Sequence, residues 1–189
     1  ATVVGSPASP LRAVALCRAE PDNCAPGARQ FIAIVDAARK QEGRARIGEI
    51  NRAVNLAIRP MSDFARHGVA DVWTSPLQTL ASGIGDCEDY AIAKFAALRE
   101  AGIAESDLRL MVVQEPGYDY KNAAVSVRLD GGWLILDNRH FALLDEKSVR
   151  ARPVLALRAQ DPSRPDDPAA PAAATNAGLQ NFGGWSAPA

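Results

Sequence analysis

The hydrophobic period of the chain changes once, at Gly102, and that change leaves few folds open. Before it, apolar residues recur at helical spacing: Phe31, Ile34, Val35 and Ala38 form one stripe, and Ile47, Ile50, Val54, Ala57 and Ile58 form a second between Gly43 and Pro60. Ala91, Phe95 and Leu98 form a third with Ile92 and Ala96 beside them, and Gly102 is its stop signal. After Gly102 the period is two. Leu108, Leu110 and Val112 alternate, then Val125, Val127 and Leu129, then Trp133, Ile135 and Asp137, and residues 154–157 offer a fourth strand. Asp130-Gly131-Gly132 predicts a hairpin between the second and third runs, because glycine accepts the positive φ angles that tight turns need. Helices first and antiparallel strands after define an α+β domain.

The rest of the 189 residues frames that domain. Residues 1–26 read as an extended or irregular arm punctuated by Pro7, Pro10, Pro21 and Pro26, residues 27–158 as the domain itself, and residues 159–189 as a tail. Within the tail, residues 161–174 are mostly Pro, Ala and Asp without periodicity, which predicts flexibility. Residues 61–80 read as a long loop with a short helix near Leu77. Trp73 and Trp133 read first as packing residues, with Trp73 a secondary candidate for a groove wall. With 21 basic and 22 acidic residues and no long block of either sign, nothing points to nucleic acid or an anionic membrane surface as the main partner. No run of 18 apolar residues occurs, so no membrane span is expected.

Chemistry concentrates at the start of the third helical stripe, Gly85-Asp86-Cys87-Glu88-Asp89-Tyr90. Asp86 or Asp89 can cap the first turn, and the exposed amides and helix dipole there favour a thiolate at Cys87. A buried, inert cysteine is the competing reading. The carboxylates Asp86, Glu88 and Asp89 argue against a dry site, and they also oppose thiolate formation, so a neutralising cation or imidazole is wanted. Cys17 and Cys24 flank a segment whose Pro21, Asp22 and Asn23 favour a turn that would bring the sulfurs together. A bridge there would leave Cys87 as the odd thiol and would fit an oxidising compartment. Two cysteines without further ligands make a poor zinc site. The opening Ala1-Thr2-Val3-Val4-Gly5-Ser6-Pro7 is compatible with a processed, exported chain.

A helix-borne cysteine followed by strands, with an Asp on the second arm of a hairpin, resembles the papain and transglutaminase architecture. More narrowly the chain resembles the bacterial transglutaminase-like cysteine peptidases. The resemblance rests on Cys17 to Cys24, Val54-Asn55 with Ile58 and Asp63, Asp71-Val72-Trp73-Thr74-Ser75-Pro76, the Cys87 motif through Lys94, Ala123-Ala124-Val125, and Leu136-Asp137-Asn138. It covers residues 15–158 and implies helices packed with the nucleophile helix on an antiparallel sheet. It further implies a periplasmic or secreted protein that acts on a protein or peptide substrate. In the calcium-dependent LapG-like branch, that substrate is a large surface adhesin whose cleavage releases a biofilm. Carried over, the nucleophile is Cys87, the orienting acid is Asp137, and calcium would be bound by Asp86, Glu88 and Asp89.

One part of that pattern is missing. The family places a catalytic His at the head of the strand before the hairpin, and here Ala123 stands in that position, within Asn122-Ala123-Ala124-Val125. Without an imidazole nothing takes the thiol proton or protonates the leaving amine. The two histidines present, His67 in the long loop and His140 three residues beyond Asp137, are weaker candidates; His140 would serve only if the chain turns after Asn138. Asn122 is expected to bind a strand end and nothing more, and Asp137 has a competing reading as a turn residue. Three functions are compatible with these residues: a cysteine endopeptidase-type domain that has lost its base, a pseudo-protease that binds a peptide or protein, or an acyl-transfer enzyme of transglutaminase type.

Overall fold

The computed structural model describes residues 2–4, 10–68, 72–114, 121–149 and 152–158. The predicted tail, residues 159–189, lies outside the described residues, and so does Asp71. A strand β1 (Thr2–Val4) and a helix α1 (Pro10–Ala19) come first. The helix corrects the expectation of an extended or irregular arm over residues 1–26. The prolines that suggested irregularity sit at element starts, where a missing N–H removes no hydrogen bond: Pro10 opens α1, Pro21 opens a 3-10 turn and Pro26 opens α2 (Pro26–Arg39). Cys17 and Cys24 form a disulfide that ties the end of α1 to the start of α2.

Helices α2 and α3 (Gly43–Ala57) bury the stripes that their spacing predicts, Phe31, Ile34, Val35 and Ala38 on one and Ile47, Ile50 and Val54 on the other. The segment between α3 and the Cys87 helix is more structured than a loop. Strand β2 (Arg59–Pro60), a one-turn helix α4 (Asp63–His67), β3 (Val72–Thr74), helix α5 (Pro76–Ser82) and β4 (Ile84–Gly85) fill a stretch expected to carry only a helix near Leu77. Ser62 caps α4 by accepting from the Ala65 amide, Ser75 caps α5 by accepting from the Gln78 amide, and Gly68 and Gly83 end them in left-handed conformation. The strands form two parallel pairs, β1 with β3 and β2 with β4. The second pair matters most, because it sets Pro60 beside Gly85.

Helix α6 (Cys87–Glu100) runs through the centre. From Asp89 to Leu98 every residue except Ile92 is buried. A single apolar stripe does not produce that; Ala91, Ala93, Ala96 and Ala97 let α2, α3, α5 and the sheet approach from several sides. The sheet has five antiparallel strands in the order β8-β7-β6-β5-β9: β5 (Leu108–Gln114), β6 (Lys121–Leu129), β7 (Gly132–Leu136), β8 (Leu144–Asp145) and β9 (Arg152–Arg158). The expected hairpin forms, with Leu129 paired to Gly132 and both turn residues at positive φ, Asp130 at 50° and Gly131 at 78°. On β6, Val125 and Val127 join the helical core and Ala123 packs at its edge.

Candidate active site

Cys87 is the first residue of α6 and is half-buried. Its Sγ donates to Glu88 Oε2 at 3.0 Å. Burial first, and then the charge and hydrogen bond of Glu88, push the thiol up to about 12, against a backbone hydrogen bond from Ala123 that favours the thiolate. The carboxylates do oppose the thiolate here, as expected of a cysteine at a helix start without a neutralising cation or imidazole. The dipole of one helix end is worth a fraction of a kcal/mol when exposed, and here desolvation and an adjacent carboxylate act against it. The same interaction brings β6 to the thiol at position 123, where an alanine methyl group offers no base.

Asp137 follows the last residue of β7 and is 4% exposed. Its Oδ1 accepts from the Arg139 amide at 2.7 Å and Arg139 Nε at 3.0 Å, and its Oδ2 accepts from Arg139 Nη2 at 2.7 Å and Asn122 Nδ2 at 3.1 Å. Burial alone would raise this carboxyl, but the Arg139 hydrogen bonds and charge hold it below the ordinary carboxylate range. Asn122 thus does more than bind a strand end. Helix α3 fixes the same loop: Asn55 Nδ2 donates to the carbonyls of Asp137 and His140, and Asn51 Nδ2 to those of His140 and Phe141. The chain does turn after Asn138, and it brings His140 Nδ1 to 3.9 Å from Asp137 Oδ1 with the imidazole half exposed. His67 ends α4 in an exposed position.

A second group of acids lies around Asp86. Ligand oxygens of Asp63, Asp86 and Asp89 all fall within 4.8 Å of one another. The β2–β4 pair creates this meeting, since it docks the chain just before Asp63 against the chain just before Asp86. Asp89 does not cap α6; it accepts from the Thr74 amide at 3.0 Å and from Arg66 Nη1 at 2.8 Å. Asp86 is the N-cap residue but makes no side-chain capping bond. Gly85 is required here, because a Cβ would come within 2.7 Å of Asp89 Cβ. Burial first, then Glu88, pushes Asp86 up to about 8. Asp63 Oδ1 and Asp86 Oδ1 are buried and accept no hydrogen bond. Three carboxylates with one Arg that pairs with two of them, and with two orphaned oxygens, suit a hard divalent cation that takes oxygen ligands. The sequence pointed to Asp86 and Asp89 and missed Asp63 as a partner; Glu88 instead contacts the thiol.

Lys94 is the other residue that spacing does not reveal. It is fully buried on α6, and its Nζ has no hydrogen-bond partner. Burial lowers it to about 7, with Asp137 acting in the opposite direction. Trp133 has its bland role: the Arg109 guanidinium stacks 3.3 Å from its ring centre.

The family profile described as bacterial transglutaminase-like cysteine proteinase BTLCP matches residues 3–152. Among solved structures, Legionella pneumophila LapG is 21% identical with a TM-score of 0.63, the match covering 85% of this chain and 87% of that one. Its calcium-bound form is 20% identical with a TM-score of 0.64, covering 87% and 94%. The EGTA-treated form is 21% identical with a TM-score of 0.63, covering 85% of each chain. These likenesses show a shared fold. No curated protein gives a significant match.

Proposed function

The chain belongs to the bacterial transglutaminase-like cysteine proteinases, and from that premise we propose that it carries a peptidase centre built on Cys87, position 123 and Asp137, with the base lost at Ala123. In a base-bearing parent, an imidazole at position 123 would take the Cys87 proton. The thiolate would attack a peptide carbonyl, the imidazolium would protonate the leaving amine, and water would hydrolyse the thioester. The observation that carries this reading is the half-buried Cys87 at the first position of α6, the one free thiol among the described residues, with the Ala123 backbone of β6 among the groups that act on it.

Calcium fits the Asp63, Asp86 and Asp89 group, with Glu88 close by. Bound there, it would neutralise the carboxylates next to Cys87. The substrate class is a secreted or surface protein of adhesin type, met in the periplasm or outside the cell, and the Cys17–Cys24 disulfide supports that compartment. No helix among the described residues is long and apolar enough to cross a membrane.

A second reading, a pseudo-protease that holds a peptide or protein without cutting it, is favoured by the thiol pushed up to about 12 and hydrogen-bonded to Glu88. Ala123→His separates the two. Cleavage of an adhesin-type N-terminal region by the variant, in calcium and not in EGTA, supports the peptidase ancestry. Binding of the same region by both proteins, with no cleavage by either, supports the second reading. Incorporation of an amine into a glutamine donor would replace both with acyl transfer.

A further inference from the structure

Strand β3 holds two of the acids beside Cys87 through its backbone. The Val72 amide donates to Asp63 Oδ2, and the Thr74 amide, two residues on, donates to Asp89 Oδ1 at 3.0 Å. One oxygen of each carboxylate is thereby fixed, which leaves Asp63 Oδ1 and Asp89 Oδ2 for another partner. Asp86 contributes Oδ1, buried and without a hydrogen bond, as is Asp63 Oδ1. One oxygen from each of the three acids lies within 4.8 Å of the others. Two oxygens on opposite sides of a calcium ion, each at about 2.4 Å, stand about 5 Å apart.

Arg66 holds one corner of this arrangement. Its Nη1 donates to Asp89 Oδ2 at 2.8 Å and stands 3.9 Å from Asp63 Oδ1, too far for a hydrogen bond. The side chain is 8% exposed, so the pair is shielded from water. Asp86 pairs with no cation among the described residues. We infer that Arg66 is a built-in counter-cation of the Asp63–Asp86–Asp89 group, and that calcium binds there by displacing its guanidinium from Asp89 Oδ2. The inference rests on reading this group as the calcium site. Calcium takes about six to eight oxygens and gains from each carboxylate it reaches, whereas Arg66 satisfies one oxygen and leaves two orphaned. An ion bound to Asp89 Oδ2 would stand beside Nη1, and two like charges repel most where water is excluded. The Val72 and Thr74 amides keep Asp63 and Asp89 in place through the exchange. Arg66 and Asp63 lie on α4 and Asp89 on α6, so the exchange trades a salt bridge between two helices for an ion held by both.

Two measurements on the full chain test this. Chelator-treated parent and Arg66→Met are titrated with calcium chloride by calorimetry, and the variant should bind at least about tenfold more tightly, equivalent to about 1.4 kcal/mol. Arg66→Gln, which keeps a donor for Asp89 without the charge, should show the same tightening and serves if the Met variant does not fold. The parent is also treated with phenylglyoxal, a reagent for accessible guanidinium groups. Arg66 should be modified faster in calcium than in EGTA, while the exposed Arg52 on α3 reacts equally in both. Tighter binding together with calcium-dependent modification supports the inference. Tighter binding with Arg66 equally protected in both solutions overturns it, since charge alone then accounts for the gain. Equal or weaker binding by the variants also overturns it and makes Arg66 a positioning residue, while the calcium reading stands. Calcium binding by none of the proteins removes the calcium reading and the inference together.

Discussion

Asp137 and the Asp63–Asp86–Asp89 group are carboxylates in one domain, all buried except the half-buried Asp86, and their surroundings treat them in opposite ways. Asp137 is met by four donors and is held ionised by a guanidinium. Around Asp86 three acids meet with Arg66 paired to Asp63 and Asp89 alone, two oxygens accept nothing, and burial pushes Asp86 up to about 8. Asp86 is the less buried of the two acids whose ionisation differs, so the number of N–H donors and the local balance of charge decide. The first centre is complete with the residues of this chain. The second is short of positive charge, and a divalent cation would make up the difference.

The largest effect should come from breaking the complete centre. Asp137→Ala leaves Arg139 and Asn122 without their acceptor and unpins the loop, and should cost about 3 kcal/mol in urea unfolding, the range for removing one partner of a buried pair. A loss below about 1 kcal/mol would mean that Asp137 does not anchor the loop. Next comes completion of the other centre. At calcium concentrations about 100-fold above the dissociation constant, the chain should gain about 2.7 kcal/mol over EGTA, read as a rise in melting temperature. Asp63→Asn should abolish most of that gain, and an undiminished gain would place the cation elsewhere.

Lys94→Met probes the amine buried in the field of Asp137, with an effect of a few kcal/mol that depends on pH. The folded value of about 7 lies below the ordinary 10.5, so the unfolded chain holds the extra proton between these limits. Parent stability therefore gains from this group as pH rises from about 7 to 10.5 and is lowest, from this source, below 7. The variant should exceed the parent most at pH 6 and least at pH 10; a constant gap would mean that Lys94 is not buried as a neutral amine. The smallest effect is expected from Asp86→Asn in EGTA. It removes an acid with no cationic partner and should stabilise by about 1 kcal/mol, and a loss instead would show that the hydrogen bond between Asp86 and Glu88 holds the site together.

The sequence exposed those parts of this molecule that local periodicity and turn chemistry govern. The stripes of α2 and α3, the start of α6 at Cys87, the three central strands and the turn at Asp130-Gly131 all come from spacing and glycine placement. The irregular arm was the clearest misreading. Proline signals a break only when its position within the element is known, and Pro10, Pro21 and Pro26 stand at starts. The segment before α6 hid its strands because two- and three-residue parallel pairs have no period to detect.

The amino-acid sequence by itself determined the α+β order, the lone thiol at a helix start, the acid after the hairpin and the alanine where a base is expected. Each is a property of residues close together in the chain. Only the tertiary structure decided which charges meet. Asp63 reaches Asp86 through the β2–β4 pair, Arg139 and Asn122 converge on Asp137 from a turn and a neighbouring strand, and Lys94 is sealed in by packing on every side of α6. Ionisation depends on desolvation and on charges within a few ångströms, and neither is written in the order of residues along a chain.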